Sequence, residues 1–259
     1  MKIVLPSTVK RCLIVGGIFL IIMSLSVSAS AAAVNPNVIV NKNAAWAGYK
    51  VLAPAPGTII MLHSNWVVPT FESSCFSPFG HSYFKFDIQI SHIYSADVGS
   101  QLFAGCTTIP VYFMNFTLGA GGSKFLPAVD LVKAGDKMLT VATIKVSTGA
   151  ITLRISDTTA GWTFTTTGTE KVSTSKSGAV EWLLYGTTTL LPKFSTFKTA
   201  NDNVTLGAHS GVLGSFLTIS ADTFTDYSMI NSVTKDVLAQ PGAITTTSSS
   251  FSFFWIQST

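Results

Sequence analysis

Three observations predict an all-β protein built as two packed antiparallel sheets. Short runs rich in β-branched and aromatic residues recur at Trp46 to Leu52, Thr58 to Val68, His81 to Ile90, Pro110 to Phe116, Met138 to Val146 and Ile151 to Ser156. They continue at Trp162 to Thr167, Val180 to Tyr185, Val204 to Leu206, Val212 to Ile219 and Ser250 to Ile256. Turn residues separate them, as in Ala55-Pro56-Gly57, Gly119-Ala-Gly-Gly122, Ala134-Gly135-Asp136 and Thr148-Gly149. Apolar residues at helical spacing are nearly absent, and only Asp226 to Leu238 has room for a helical turn or two.

The chain begins with Lys2, Lys10 and Arg11, an apolar run from Cys12 to about Val27, and a small-residue tail. This is the layout of a signal peptide over residues 1–33, with Ala29-Ser30-Ala31 or Ala31-Ala32-Ala33 as the cleavage site. An uncleaved anchor is the alternative, although the run is short for a span. No later stretch is long and apolar enough to span, so no stable membrane insertion is expected after cleavage. The product is expected to be secreted, extracellular or periplasmic.

Removing the leader changes the charge. Three of the 16 Lys+Arg and none of the 12 Asp+Glu precede residue 34, which leaves the mature chain at +1. Arg154 is then the only arginine, and no basic stripe exists, so nucleic acid is excluded as a partner. The remaining residues, 34–259, suit one core, because no charge run, proline-rich linker or internal repeat divides them. A monomer is expected.

Cys12 leaves with the leader, so Cys75 and Cys106 remain. In an oxidising compartment they are expected to form one disulfide; two separate buried thiols are the alternative. Neither lies in a Cys-x-x-Cys pair, and His63, His81, His92 and His209 are scattered, so no metal and no cofactor is expected. Asn115-Phe-Thr117 and Asn203-Val-Thr205 are glycosylation acceptors where a host supplies that machinery.

Within Gly178-Ala-Val-Glu-Trp-Leu-Leu-Tyr-Gly186, Trp182 and Leu184 alternate with Glu181, Leu183 and Tyr185, the period of a strand with two unlike faces. A carboxylate among apolar residues marks either a polar groove with a salt bridge or a solvated edge. Four more segments stand in order with it. They are Asn43-Ala-Ala-Trp-Ala-Gly-Tyr49, Asn65-Trp-Val-Val-Pro69, Tyr83-Phe-Lys-Phe-Asp-Ile-Gln89 leading to Asp97-Val-Gly99, and Ala134-Gly-Asp136 leading to Asp157-Thr-Thr-Ala-Gly-Trp-Thr-Phe164. Together, over about residues 43 to 200, the chain resembles the eqolisin family of glutamic peptidases.

The resemblance implies the same sandwich and a groove in which a glutamate activates water while a glutamine helps hold the oxyanion. Laid on this chain, the family's Ala-Glu-Trp-Ile-x-Glu-like strand puts Glu181 at its first glutamate and Tyr185 at the catalytic one. The glutamine position falls on Asp97, with Gln101 close enough to replace it after a loop shift. A third element resembles Val111 to Phe116 and puts Phe113 where the family has a glutamate. Trp46, Trp66, Phe84, Asp87, Phe113 and Glu181 are then the expected groove residues, the aromatics being equally compatible with a core. A phenol, with a reference pKa near 10, is a poor general base at neutral or acid pH. Asp87 and Asp97 could instead share a proton as a carboxylate pair.

Other catalytic signatures are missing: no Gly-x-Ser-x-Gly, no His-Glu-x-x-His and no phosphate loop. Two functions follow. One is a secreted, catalytically degenerate sandwich that binds a peptide or glycan in the groove. The other is a secreted acid endopeptidase with an altered carboxylate pair. Whichever holds, exported material should begin near Val34; N-terminal sequencing that returns Met1 on a membrane-bound product would contradict the leader.

Overall fold

The computed structural model describes residues 38–43, 45–52, 59–72, 82–91, 97–106, 109–127, 132–145, 147–169, 178–186, 192–206, 215–218, 224–244 and 250–256. The expected leader and Cys75 lie outside them. Among the described residues sixteen strands form, in chain order β1 (Val38–Asn43), β2 (Trp46–Leu52), β3 (Ile59–Val67), β4 (Ser82–Ser91), β5 (Val98–Cys106), β6 (Pro110–Leu118), β7 (Ser123–Phe125) and β8 (Lys137–Lys145). The rest are β9 (Ala150–Asp157), β10 (Trp162–Thr169), β11 (Ala179–Tyr185), β12 (Phe197–Leu206), β13 (Ser215–Thr218), β14 (Phe224–Ile230), β15 (Val237–Pro241) and β16 (Ser252–Trp255).

They build an all-β sandwich of two antiparallel sheets. The front sheet runs β16-β15-β14-β2-β11-β4-β5-β6-β7, and the back sheet runs β10-β9-β8-β3-β12 with β13 added to β12. The end of the back sheet turns into the front one, because Phe197 and Lys198 of β12 pair with β16. β1 is a parallel addition to β14. Among the described residues no helix is long and apolar enough to cross a membrane.

Each sheet presents one alternate set of residues to the other, as the two-residue period of a strand requires. From the front come Phe84, Phe86, Ile88 and Ile90 of β4, Val180, Trp182 and Leu184 of β11, and Leu102 and Ala104 of β5, all buried. From the back come Leu62 and Trp66 of β3 with Met138, Ala142, Leu153 and Ile155. Aromatic rings tie the layers together: Phe86 meets Trp66 edge-on at 5.5 Å between centroids, and Phe197 and Phe253 at 5.1 Å each. The Trp66 indole donates to Thr140 Oγ1 (3.2 Å), which also meets Ser100 Oγ of the opposite sheet at 2.7 Å.

Gly48 has no substitute at its place in β2. It sits at φ 143°, and a Cβ there would come within 1.9 Å of the Trp182 carbonyl oxygen of the neighbouring strand.

Three expectations need revision. Asp226 to Leu238 is not helical: Phe224–Ile230 and Val237–Pro241 pair as an antiparallel hairpin around a turn at 232–234. A turn built on Asn231, whose side-chain oxygen accepts from the amides of Val233 and Thr234, favours the hairpin locally. β5, absent from the sequence reading, is a central strand. Trp66 and Phe84, expected in the groove, are 2% and 0% exposed and lie between the sheets, because they fall in the inward sets of their strands, which are apolar but for Ser64.

The interior also holds a carboxyl. Asp202, completely buried on β12, accepts from Ser64 Oγ, and burial pushes its pKa up to about 7. Burial likewise raises Asp226 to about 6. In each case the folded-state pKa exceeds the unfolded value near 4, so the stabilisation is fully present below that value and is lost as pH rises toward 7. The melting temperature should therefore fall between pH 4 and pH 8. Asp202→Asn should flatten the slope; a melting temperature that rises over this range would contradict the assignment.

Candidate functional site

The outward set of the front sheet is unlike the inward one. On β11 it is Glu181, Leu183 and Tyr185; on β4, Lys85, Asp87 and Gln89; on β5, Gly99, Gln101 and Phe103; on β6, Phe113, Asn115 and Thr117. The ladders align these residues into rows across the sheet. One row runs Lys50, Glu181, Gln89, Gly99, Thr117. The next runs Gly48, Leu183, Asp87, Gln101, Asn115, and the third Trp46, Tyr185, Lys85, Phe103, Phe113.

The first row contains a glutamate and glutamine in contact. Glu181, 4% exposed, receives the Lys50 ammonium on Oε1 at 2.6 Å and the Gln89 amide on Oε2 at 3.1 Å. Both carboxylate oxygens are thus engaged by donors, one of them charged. Motif matching pointed to Glu181 but missed Gln89 and Lys50. The signal for Gln89 was its place two residues beyond Asp87, on the same face of the same strand.

The second and third rows share Lys85. Its ammonium lies 2.6 Å from Asp87 Oδ2 and 4.3 Å from the centre of the Tyr185 ring, with Phe103 at 6.0 Å on another side. Asp87 is 1% exposed, and burial raises its pKa to about 7 against the opposing pull of Lys85. The Tyr185 phenol is shifted upward by burial and then by the charges of Asp87, Glu181 and Asp97. A phenol driven further above its ordinary value is no general base at any pH where an acid peptidase works.

Asp97 stands at the entry to β5 and its charge reaches Asp87 and Tyr185. It precedes the strand, whereas Gln101 lies within it, directly opposite Asp87 and one outward step from the Tyr185 row. Gln101 Oε1 accepts from Ser123 Oγ at 2.7 Å. Trp46 is on the outer face, its ring 4.0 Å from that of Tyr227. Phe113 is there as well, whereas Trp66 and Phe84 are not. Asn115, the expected glycosylation acceptor, is buried to 8% exposure within β6. Among the described residues, four buried side-chain polar atoms on this face have no hydrogen-bond partner: Asp87 Oδ1, Gln89 Oε1, Ser91 Oγ and Asn115 Oδ1. No group of three or more His, Cys, Asp or Glu that could hold a metal occurs among them.

No protein-family model matches the chain, and no curated protein matches it in sequence. Its fold is similar to two crystal structures of scytalido-glutamic peptidase. One carries a peptide-based transition-state analogue and the other a transition-state analogue inhibitor. Each comparison has a TM-score of 0.56 at 12% identity and covers 82% of this chain and 98% of the other. The fold relation that the motifs implied is therefore supported by the three-dimensional path of the chain.

The Lys50 contact yields a test. Lys50→Met leaves the buried Glu181 carboxylate without its counter-charge and should cost about 1–3 kcal/mol at pH 7. Adding Glu181→Gln should restore most of that loss in urea unfolding. Purely additive losses in the double variant would show that the pair carries no coupling.

Proposed function

We propose that this chain is a secreted, monomeric and catalytically degenerate eqolisin-like protein that binds an extended polypeptide across the outer face of its front sheet. The observation that carries this reading is that each buried acid on the face is already neutralised, Glu181 by Lys50 and Asp87 by Lys85. A water-activating carboxylate needs a free oxygen facing the substrate, and Tyr185 stands where the resemblance places that group. The degenerate pair is thus Tyr185 with Asp97, and Gln101 as the nearer amide is held by Ser123.

Binding is supported by the aromatic edge of β5, β6 and β7, where Phe125 is exposed beside Phe103 and Phe113. The leader-like first 33 residues support export. A bond between Cys75 and Cys106 belongs to the same reading, supported by the burial of Cys106 at the end of β5 and by Cys75 being the only other cysteine after the leader. Such a bond would stabilise the fold by about 3–4 kcal/mol on the chain-entropy model.

A second reading has one observation in its favour. Asp87, raised to about 7, is protonated at acid pH, the state a general acid needs, and belongs to the outward set of β4 with Asp97 in electrostatic reach. One assay separates the two: cleavage and binding of a denatured protein substrate across pH 2 to 7. The degenerate reading expects binding with a hydrolysis rate at least about 10⁴-fold below that of a competent enzyme, from the loss of an oxyanion donor and of the water-activating carboxylate together. Tyr185→Glu with Asp97→Gln should recover some acid proteolysis. Robust wild-type cleavage that is abolished by Asp87→Asn or Asp97→Asn and indifferent to Tyr185→Phe would overturn the proposal. Binding of oligosaccharides with no binding of polypeptide would replace its ligand.

A further inference from the structure

Two acids that the motifs brought forward take no part in the outer face: Asp136, which closes Ala134-Gly-Asp136, and Asp157, which opens Asp157-Thr-Thr-Ala-Gly161. Both are buried, at 8% and 1% exposure. Each is tied to its own turn, Asp136 Oδ2 accepting from the Lys133 amide at 2.6 Å and Asp157 Oδ1 from the amides of Thr159 and Ala160 at 2.8 Å each. Asp157 Oδ2 receives no N–H or hydroxyl donor. The group that meets the Asp157 carboxyl is the carboxyl of Asp136, in hydrogen-bond contact with it.

Ionised carboxylates only accept, so a hydrogen bond between these two groups requires a proton on one of them. That proton meets the need of the Asp157 oxygen and removes one of two like charges that burial would make costly. The charges acting on Asp136 are those of Asp157, on the β9-β10 turn, and Lys133, on its own turn. Burial, together with the Asp157 carboxyl, raises the Asp136 pKa against the opposing pull of Lys133. The turn that Asp136 closes is held to the end of β3 by Gly135 N–H on the Val68 carbonyl (2.8 Å) and Val68 N–H on the Asp136 carbonyl (2.9 Å). Its Val132, Lys133 and Ala134 line a cavity of about 260 Å³ with residues 110–113 of β6. On the other side, the β9-β10 turn is held to β8 by Thr158 N–H on the Lys137 carbonyl (2.8 Å).

We propose that Asp136 and Asp157 share one proton, and that this proton is an acid latch holding the 133–136 turn, and with it the wall of the β6 cavity, against the β9-β10 turn. The pair titrates as a unit. Its contribution to stability is fully present below the unfolded carboxyl value, near 4, and is lost as pH rises through the raised value of the folded pair. Once the proton leaves, two anions face each other and the Asp136 turn moves out toward water, so the cavity is walled in acid and open at neutral pH. Phe113 borders both this cavity and the aromatic edge of the outer face, but the latch does not depend on what that face binds.

The mature chain, labelled with carbon-13 at its aspartate carboxyls, should be followed by NMR between pH 3 and pH 8, with amide exchange measured alongside and corrected for its intrinsic dependence on pH. One carboxyl of the pair, assigned by the signals missing from Asp136→Asn and Asp157→Asn, should keep its proton above the ordinary carboxylate range near 4. Over the interval in which it is lost, the Gly135 and Thr158 amides should lose protection severalfold while those of Ala142 and Leu153 in the core keep theirs. In Asp157→Asn a carboxamide donates to Asp136 without titrating, so the protection of Gly135 and Thr158 should no longer follow pH; Asp136→Asn should have the same effect from the other side. Two carboxyls both ionised by pH 5 would overturn the shared proton. A loss of protection that persists in both Asn variants, or that extends equally to Ala142 and Leu153, would overturn the latch.

Discussion

Strand β11 is buried on both faces, and that constraint shapes the rest of the molecule. Its inward residues, Val180, Trp182 and Leu184, enter the core, and its outward ones, Glu181 and Leu183, are almost as inaccessible. A carboxylate in such a place is tolerable only with donors on its oxygens. β2 and β4, the two neighbours of β11, provide them as Lys50 and Gln89. The close approach of β2 that brings Lys50 into register is possible because Gly48, two residues away, has no side chain to strike β11. Backbone geometry and the electrostatics of the face are thus one problem with one solution.

The proposed loss of hydrolysis follows the same logic. Chemistry on a peptide bond needs polar groups held in place but incompletely satisfied, so that their remaining capacity falls on the transition state. Here each buried acid of the face is paired with a lysine, Glu181 with Lys50 and Asp87 with Lys85, while Asp87 keeps one oxygen without a hydrogen-bond partner. The interior follows another rule, since Asp202 meets Ser64 at full burial and is most comfortable when protonated. Both layers therefore favour acid conditions, one for stability and the other for the charge state of Asp87.

Much of this was legible in the residues. The alternation of Glu181 with Trp182 marked a strand with two unlike faces, and Lys85-Phe-Asp-Ile-Gln89 had the same signature. What misled was assigning Phe84 and Trp66 by motif rather than by period, since both belong to the apolar sets of their strands. β5 was hidden because Val98-Gly-Ser-Gln-Leu-Phe-Ala-Gly-Cys106 is rich in glycine and small residues; its pairing with β4 and β6, not its propensity, makes it a strand. The pairing of Glu181 with Gln89 depends on the register between β11 and β4, which are about ninety residues apart in sequence, and no local pattern encodes that register.

The route of the chain through the front sheet has a consequence for how the protein is made. β2 is flanked by β11 and β14, and β1 also pairs with β14, so the first strands to emerge from the ribosome have partners near residues 180 and 224–229. β2 cannot pair with β11 until synthesis has passed residue 185, nor β1 with β14 until it has passed residue 229. Such long-range closure slows folding and prolongs the exposure of unpaired strands. With only 11% charged residues to keep the nascent chain apart from its copies, its yield will be governed by how long it stays unfolded during synthesis as much as by the stability of the finished sandwich.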